Sequence, residues 1–271
     1  MDPNAKNQDL MYVTNSRSGD VTVLTYPAGS EAGVIAGFSE PEGECVDSTG
    51  DVFIADRFNH RTQEFAHAGT VPIQILDYPG AQPFGCSVDP VTGNLAVTNG
   101  ARTKKAETVV AVYAGATGTP HTYALKGFNA SWCGYDDRGN LYVDGVQVGH
   151  HHTFVLEELP KDGTALVPIS IDQTINYAGS VQWDGKYMMI ADLFPPVAYR
   201  FTLTQSAGTV VGKTTFGNLY EVAQFWLYRN KITGADNGVS LWNYPAGGNP
   251  IKTFAGDYPV AGVISPAQRR P

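Results

Sequence analysis

Charge is scarce in this chain: Lys, Arg, Asp and Glu make up 16% of 271 residues, with 18 basic against 26 acidic for a formal charge of −8. No basic cluster exceeds "TKK" at Thr103 to Lys105, too little to neutralise a phosphate backbone, so nucleic acid is disfavoured as a partner. No apolar run approaches the roughly 18–20 residues that cross a bilayer. The opening "MDPNAKNQDL" lacks the apolar centre of a signal peptide. A chain without membrane contact is expected. Cysteine is also sparse. Cys45, Cys86 and Cys133 cannot all pair with one another, so a disulfide framework is excluded and at least one thiol is expected free. There is no phosphate-cradling glycine loop, G-x-S-x-G elbow, H-E-x-x-H or paired C-x-x-C, and no nucleotide cofactor is expected. Amphipathic stretches of ten or more residues between strands are missing too, which argues against an α/β arrangement.

What the chain has in plenty is Gly, Thr, Asn, Tyr and Pro, the composition of short strands joined by turns. A repeated unit emerges when the turn residues are aligned. A small cluster, then Val or Tyr, Asp, a glycine turn and an apolar strand recur in "PEGECVDSTGDVFIAD" (41–56), "PFGCSVDPVTGNLAVTN" (83–99) and "SWCGYDDRGNLYVD" (131–144). Weaker copies are "GSVQWDGKYMMIAD" (179–192) and "AQFWLYRNKITGAD" (223–236). The sixth is divided between "PVAGVIS" (259–265) and "LMYVTN" (10–15), from opposite ends of the chain. Third strands such as "VTVLTYPAG" and fourth strands such as "PIQIL" complete units of about 40–48 residues, the spacing of propeller blades. The fold expected is all-β: a six-bladed β-propeller of four-stranded blades, closed by N- and C-terminal strands that share one blade. Residues 10–265 form the domain. Residues 1–9 are expected to be disordered or extended, and 266–271 to be a tail.

The unit resembles NHL-type repeats, whose inner strand reads roughly Pro-x-Gly-Ile-Ala-Val-Asp before a Gly-Asn turn; "PEGECVDSTGDVFIAD" and "PFGCSVDPVTGNLAVTN" carry the likeness. The architecture is shared with gluconolactonase-like and paraoxonase-like metal hydrolases, strictosidine-synthase-like proteins, virginiamycin B lyase and many non-catalytic interaction domains. Such a resemblance implies fold more than activity. Gluconolactonase-like enzymes place Glu, Asn and Asp at first-strand positions of several blades. Here Glu42 matches, whereas Phe84, Ser131, Gly179 and Ala223 do not.

In a propeller the start of each first strand and the end of each second strand share one mouth of the channel. Second strands end at Asn15, Asp56, Asn99, Asp144, Asp192 and Asp236. Such residues either accept backbone N–H bonds in neighbouring turns or supply oxygen ligands to a hard cation. "GHHHTF" (149–154) falls in a loop on the same mouth, and alternation along a strand would put His150 and His152 on one side. An i, i+2 imidazole pair suits Zn²⁺ or Cu²⁺, with Asp144 and Asp192 as further ligands; the divalent ion expected is Zn, Cu or Ca. Glu42, Asp56 and His60 are the candidate acid–base groups beside it. Phe84, Trp132, Phe194, Trp226 and Asn99, with Tyr220 nearby, are candidate contacts for a small-molecule or carbohydrate ligand. Cys86 and Cys133 occupy the same position of consecutive blades and are expected to be compact buried thiols.

Two functions follow. One is metal-assisted hydrolysis or lyase chemistry on an ester- or lactone-like substrate. The other is non-catalytic binding of a carbohydrate, peptide or protein. A monomer in an extracytoplasmic setting is expected.

Overall fold

A computed structural model describes residues 1–78, 80–101, 108–149, 153–236, 238–254 and 256–267. Six antiparallel sheets follow one another around a ring. Blade one comprises Pro41–Val46, Val52–Asp56, Arg61–Phe65 and Gln74–Asp77. Blade two comprises Ala81–Val88, Leu95–Ala101, Val109–Tyr113 and His121–Ala124. Phe128–Tyr135, Leu141–Gln147, Phe154–Leu159 and Val167–Pro168 make blade three. Blade four runs Ala178–Trp183, Met188–Asp192, Val197–Leu203 and Ala207–Thr215, with Ser170–Ile171 added in parallel outside it. Blade five is Phe225–Tyr228, Lys231–Asp236, Gly238–Asn243 and Lys252–Phe254. Blade six takes its inner strand, Pro259–Ser265, from the C-terminal end and the rest, Leu10–Asn15, Asp20–Thr25 and Glu31–Ala36, from the N-terminal end. Pairing of Leu10 with Ser265 through to Asn15 with Pro259 closes the ring, leaving no open end between the first and last blades.

The turn between the two innermost strands has a common cause in blades one to four. Asp47 Oδ1 accepts the Thr49 N–H at 2.8 Å, and Asp89, Asp136 and Asp184 do the same for Val91, Arg138 and Lys186. This Asx-turn lets the chain reverse between the two innermost strands. Second strands are buried on both faces, and so read as continuous apolar runs. In "VFIAD", Val52 and Ile54 pack on blade six while Phe53 packs on blade two. The core accordingly divides into six hydrophobic clusters, one in each wedge between neighbouring blades.

Two expectations are corrected. Residues 1–9 do not trail free: Ala5–Asn7 forms a 3-10 turn with Ala5 fully buried, and the Asp2 N–H bonds to Ala32 O at 2.6 Å. Cys86 is not a free thiol but is bonded to Cys45, with Cα atoms 5.7 Å apart, while Cys133 stays free and buried. Cys86 and Cys133 are equivalent and each faces the blade before its own. Cys45 lies one residue further along its strand than the equivalent position, held by Glu44, so alternation turns it forward, toward Cys86.

Candidate functional site

The channel is plugged. Near the mouth the rings of Phe84 and Trp132 meet with centroids 5.0 Å apart and pack with Ala223 and Val260. Deeper in, Gln224 of blade five binds the backbone of Glu44 in blade one from both sides, at 3.0 and 2.6 Å. Below them lies a second basin of about 250 Å³ opening on the far side, and Trp226 lines that basin, not the mouth. What the mouth retains is a small recess of about 210 Å³ lined by Arg57, Gln82, Phe84, Gly100, Ala130 and Ser131.

The Asp and Asn residues at the second-strand ends serve mainly as clasps. Asp56 is fully buried and accepts from Ser39 N, Asn59 Nδ2, Arg61 Nε and Gln63 Nε2 at 2.7–3.0 Å. Asp192 accepts from the Asn176 and Tyr177 N–H groups, the Asn176 amide and the Phe194 N–H. Asp236 takes the Tyr220 N–H and Asn15 the Asp257 N–H. In each case the side chain ties the strand end to the segment entering the blade. Asn99, also buried, donates to Val97 O, and its Oδ1 has no partner among the described residues.

Asp144 departs from this ring. Ala130 pairs with Gly145, as Pro41 pairs with Asp56, so glycine holds the clasp position in blade three and Asp144 precedes it by one residue. A Cβ on Gly145 would lie 1.9 Å from Asn129 O, so no side chain fits there. Strand alternation turns Asp144 to the opposite face from the other clasps. Its Oδ1 caps the Trp132 N–H at 2.9 Å, as Thr98 Oγ1 caps the matching Gly85 N–H; its Oδ2 is buried without a partner among the described residues, and burial holds the carboxyl well above the usual range.

Glu42 sits nearly buried beside the recess, 3.0 Å from Arg57, which also lies 3.5 Å from Glu40. Burial pushes the Glu42 carboxyl up to about 7 against the opposing pull of Arg57. His60, in a left-handed conformation, turns its Nδ1 to the Ala81 carbonyl of blade two. His150 and His152 lie outside the described residues. Among the described residues, no three His, Cys, Asp or Glu side chains converge at this mouth; Asp47, Asp51 and Glu64, on the opposite face, do.

The mouth face has a feature that motif spacing scarcely signals. Among the described residues, the exposed aromatics are Phe58 (50%), Phe194 (45%), Tyr220 (69%) and Tyr258 (59%), and all four stand in loops on this face. Phe194 and Tyr220 pack with centroids 5.0 Å apart. Arg57 lies over Phe58 at 5.3 Å and Arg17 over Tyr258 at 5.0 Å. Phe194 and Tyr220 were legible as candidates. Phe58 and Tyr258 have one available signal, their place within two residues of a strand end at the mouth.

No family model matches this chain, and no curated protein does. Solved structures do. A protein of unknown function from Bacteroides caccae aligns over 95% of this chain and 99% of its own, with TM-score 0.70 at 10% identity. A chain of a nidogen/laminin complex aligns over 96% of this chain and 100% of its own, with TM-score 0.71 at 15% identity. At such identities the likeness is one of fold, and the fold is a six-bladed β-propeller.

Proposed function

We propose that this is a non-catalytic, NHL-type recognition propeller that binds a protein partner across its mouth face. The observation that carries this is the gathering of all four exposed aromatics on that face, two with a guanidinium stacked on the ring. Tyr, Phe and Arg are the residues enriched where proteins bind one another, because they bury large area with few rotatable bonds. The recess of about 210 Å³ beside Arg57 and Phe84 has room for one partner side chain and not for an oligosaccharide. The structurally similar chain in a nidogen/laminin complex is a precedent for this shape in a protein assembly.

Metal-assisted hydrolase or lyase chemistry is the second reading, favoured by Glu42, whose carboxyl is pushed up to about 7 by burial next to the recess. Against it, the oxygens of Asp56 and Asp192 are taken up by protein donors.

Peptides selected from a random display library against the wild-type protein separate the two. Under recognition, selected peptides lose at least about tenfold in affinity for Phe58→Ser/Tyr220→Ser. Binders indifferent to that pair of changes overturn it. Metal-dependent turnover of lactones or aryl esters, abolished by Glu42→Gln, points to catalysis instead.

A further inference from the structure

A second candidate site lies on the other face. A groove of about 900 Å³ runs between blades three and four, floored by Asp136, Tyr142 and Glu158 and walled by Trp183 and the 202–206 turn. Its floor is buried and polar. The Tyr142 hydroxyl donates to Glu158 Oε1 at a long 3.4 Å, the one hydrogen bond that this nearly buried carboxylate receives among the described residues. The indole N–H of Trp183, a residue that also lines the far-side basin, is closed to solvent and finds no acceptor among the described residues, so it is not available to the groove. Asp136, by contrast, is committed to its own turn through Arg138 N, Asn140 N and Asn140 Nδ2. Buried polar groups in native proteins are almost always paired, so an underused carboxylate lining a cavity is available to a donor from outside the chain.

We infer that this groove binds a neutral oligosaccharide. Two carboxylates, Asp136 and Glu158, face two cations, Arg138 and Lys186, so the lining has no net charge to select an ion. The half-buried Trp183 supplies aromatic surface for the C–H face of a sugar ring. Glu158 accepts while Arg138 and Lys186 donate, matching hydroxyls that do both. Thr202, Thr204, Gln205 and Ser206 add an exposed hydroxyl and amide rim. The volume lies in the range of small-molecule pockets, with room for two or three sugar rings. The site is independent of the mouth face, and each proposal can fail alone.

Calorimetric titration with maltotriose, cellotriose, xylotriose and chitotriose tests it. At least one sugar is expected to saturate the protein at millimolar concentration or below. Glu158→Gln weakens that binding by about tenfold, the effect of one lost hydrogen bond to a buried charged group. Gln205→Trp, an exposed turn position that obstructs the groove without touching the core, abolishes it, and Phe58→Ser/Tyr220→Ser on the opposite face leaves it unchanged. Absence of saturable binding to all four sugars overturns the inference, as does binding that survives Gln205→Trp.

Discussion

Gln224 and Glu44 are 180 residues apart in sequence, yet the Gln224 amide donates to Glu44 O at 2.6 Å and accepts from Glu44 N at 3.0 Å. The side chain of one blade thus stands in for a strand, pairing with the inner edge of a blade two places along the ring. This joins the circle across its hollow centre and closes the channel.

Gln224→Ala leaves a buried N–H and a buried C=O without partners. A loss of about 2–4 kcal/mol is expected from the two orphaned groups, read as a fall in the urea midpoint. A change under about 0.5 kcal/mol would mean that water replaces the amide without cost.

The Cys45–Cys86 bridge joins neighbouring blades and closes a loop with a sequence separation of 41. Chain-entropy arguments put such a cross-link at about 3–4 kcal/mol. Cys86→Ser should lower stability by that order, and thiol titration of the native wild type should find no reactive thiol. Burial pushes Cys133 far up, so it reacts only on unfolding. Rapid native labelling of Cys133 would contradict this.

Three buried carboxyls make stability fall as pH rises. Burial raises Glu42 to about 7 and lifts Glu44 and Asp144 well above the usual range. Glu44 lies beside Thr14 and Val263 without a well-formed hydrogen bond to its carboxyl oxygens. Above a pH of about 4.5 the folded chain retains protons that the unfolded chain has released, so unfolding free energy decreases with pH, for Glu42 by up to about 3 kcal/mol through 7. Urea unfolding between pH 5 and 8 should show this negative slope, and Asp144→Asn should flatten it. Stability that climbs over that range would refute the assignment.

Asp56→Ala removes the acceptor for Arg61, Asn59, Gln63 and Ser39. A loss of about 3–5 kcal/mol is expected, as for other broken buried ion pairs, because Arg61 keeps its charge without a partner. Wild-type stability in this variant, measured by thermal melting, would show that Asp56 is free for another task.

The blades were legible because their cause is local. An Asp that bonds two residues ahead, a glycine turn and an apolar strand announce the first four units from within a dozen residues, and Asp47, Asp89, Asp136 and Asp184 all act as that pattern implies; the fifth and the divided sixth are announced by their apolar strands alone. The candidate site was only partly legible. Spacing marked Asp144 as one of the ring, but Gly145 holds the position, since a one-residue slip reverses a strand's faces. Trp226 was placed at the mouth and lines the far basin.

The sequence by itself determined the number of blades, the shared closing blade and the strand order, since hydrophobic period and turn chemistry are properties of neighbours along the chain. Tertiary structure alone decided that Cys45 meets Cys86, that Gln224 fills the channel, that the exposed aromatics share one face and that a groove opens between blades three and four. Those contacts join residues tens to hundreds of positions apart, and their geometry depends on how each blade is rotated against the next, which no local pattern encodes.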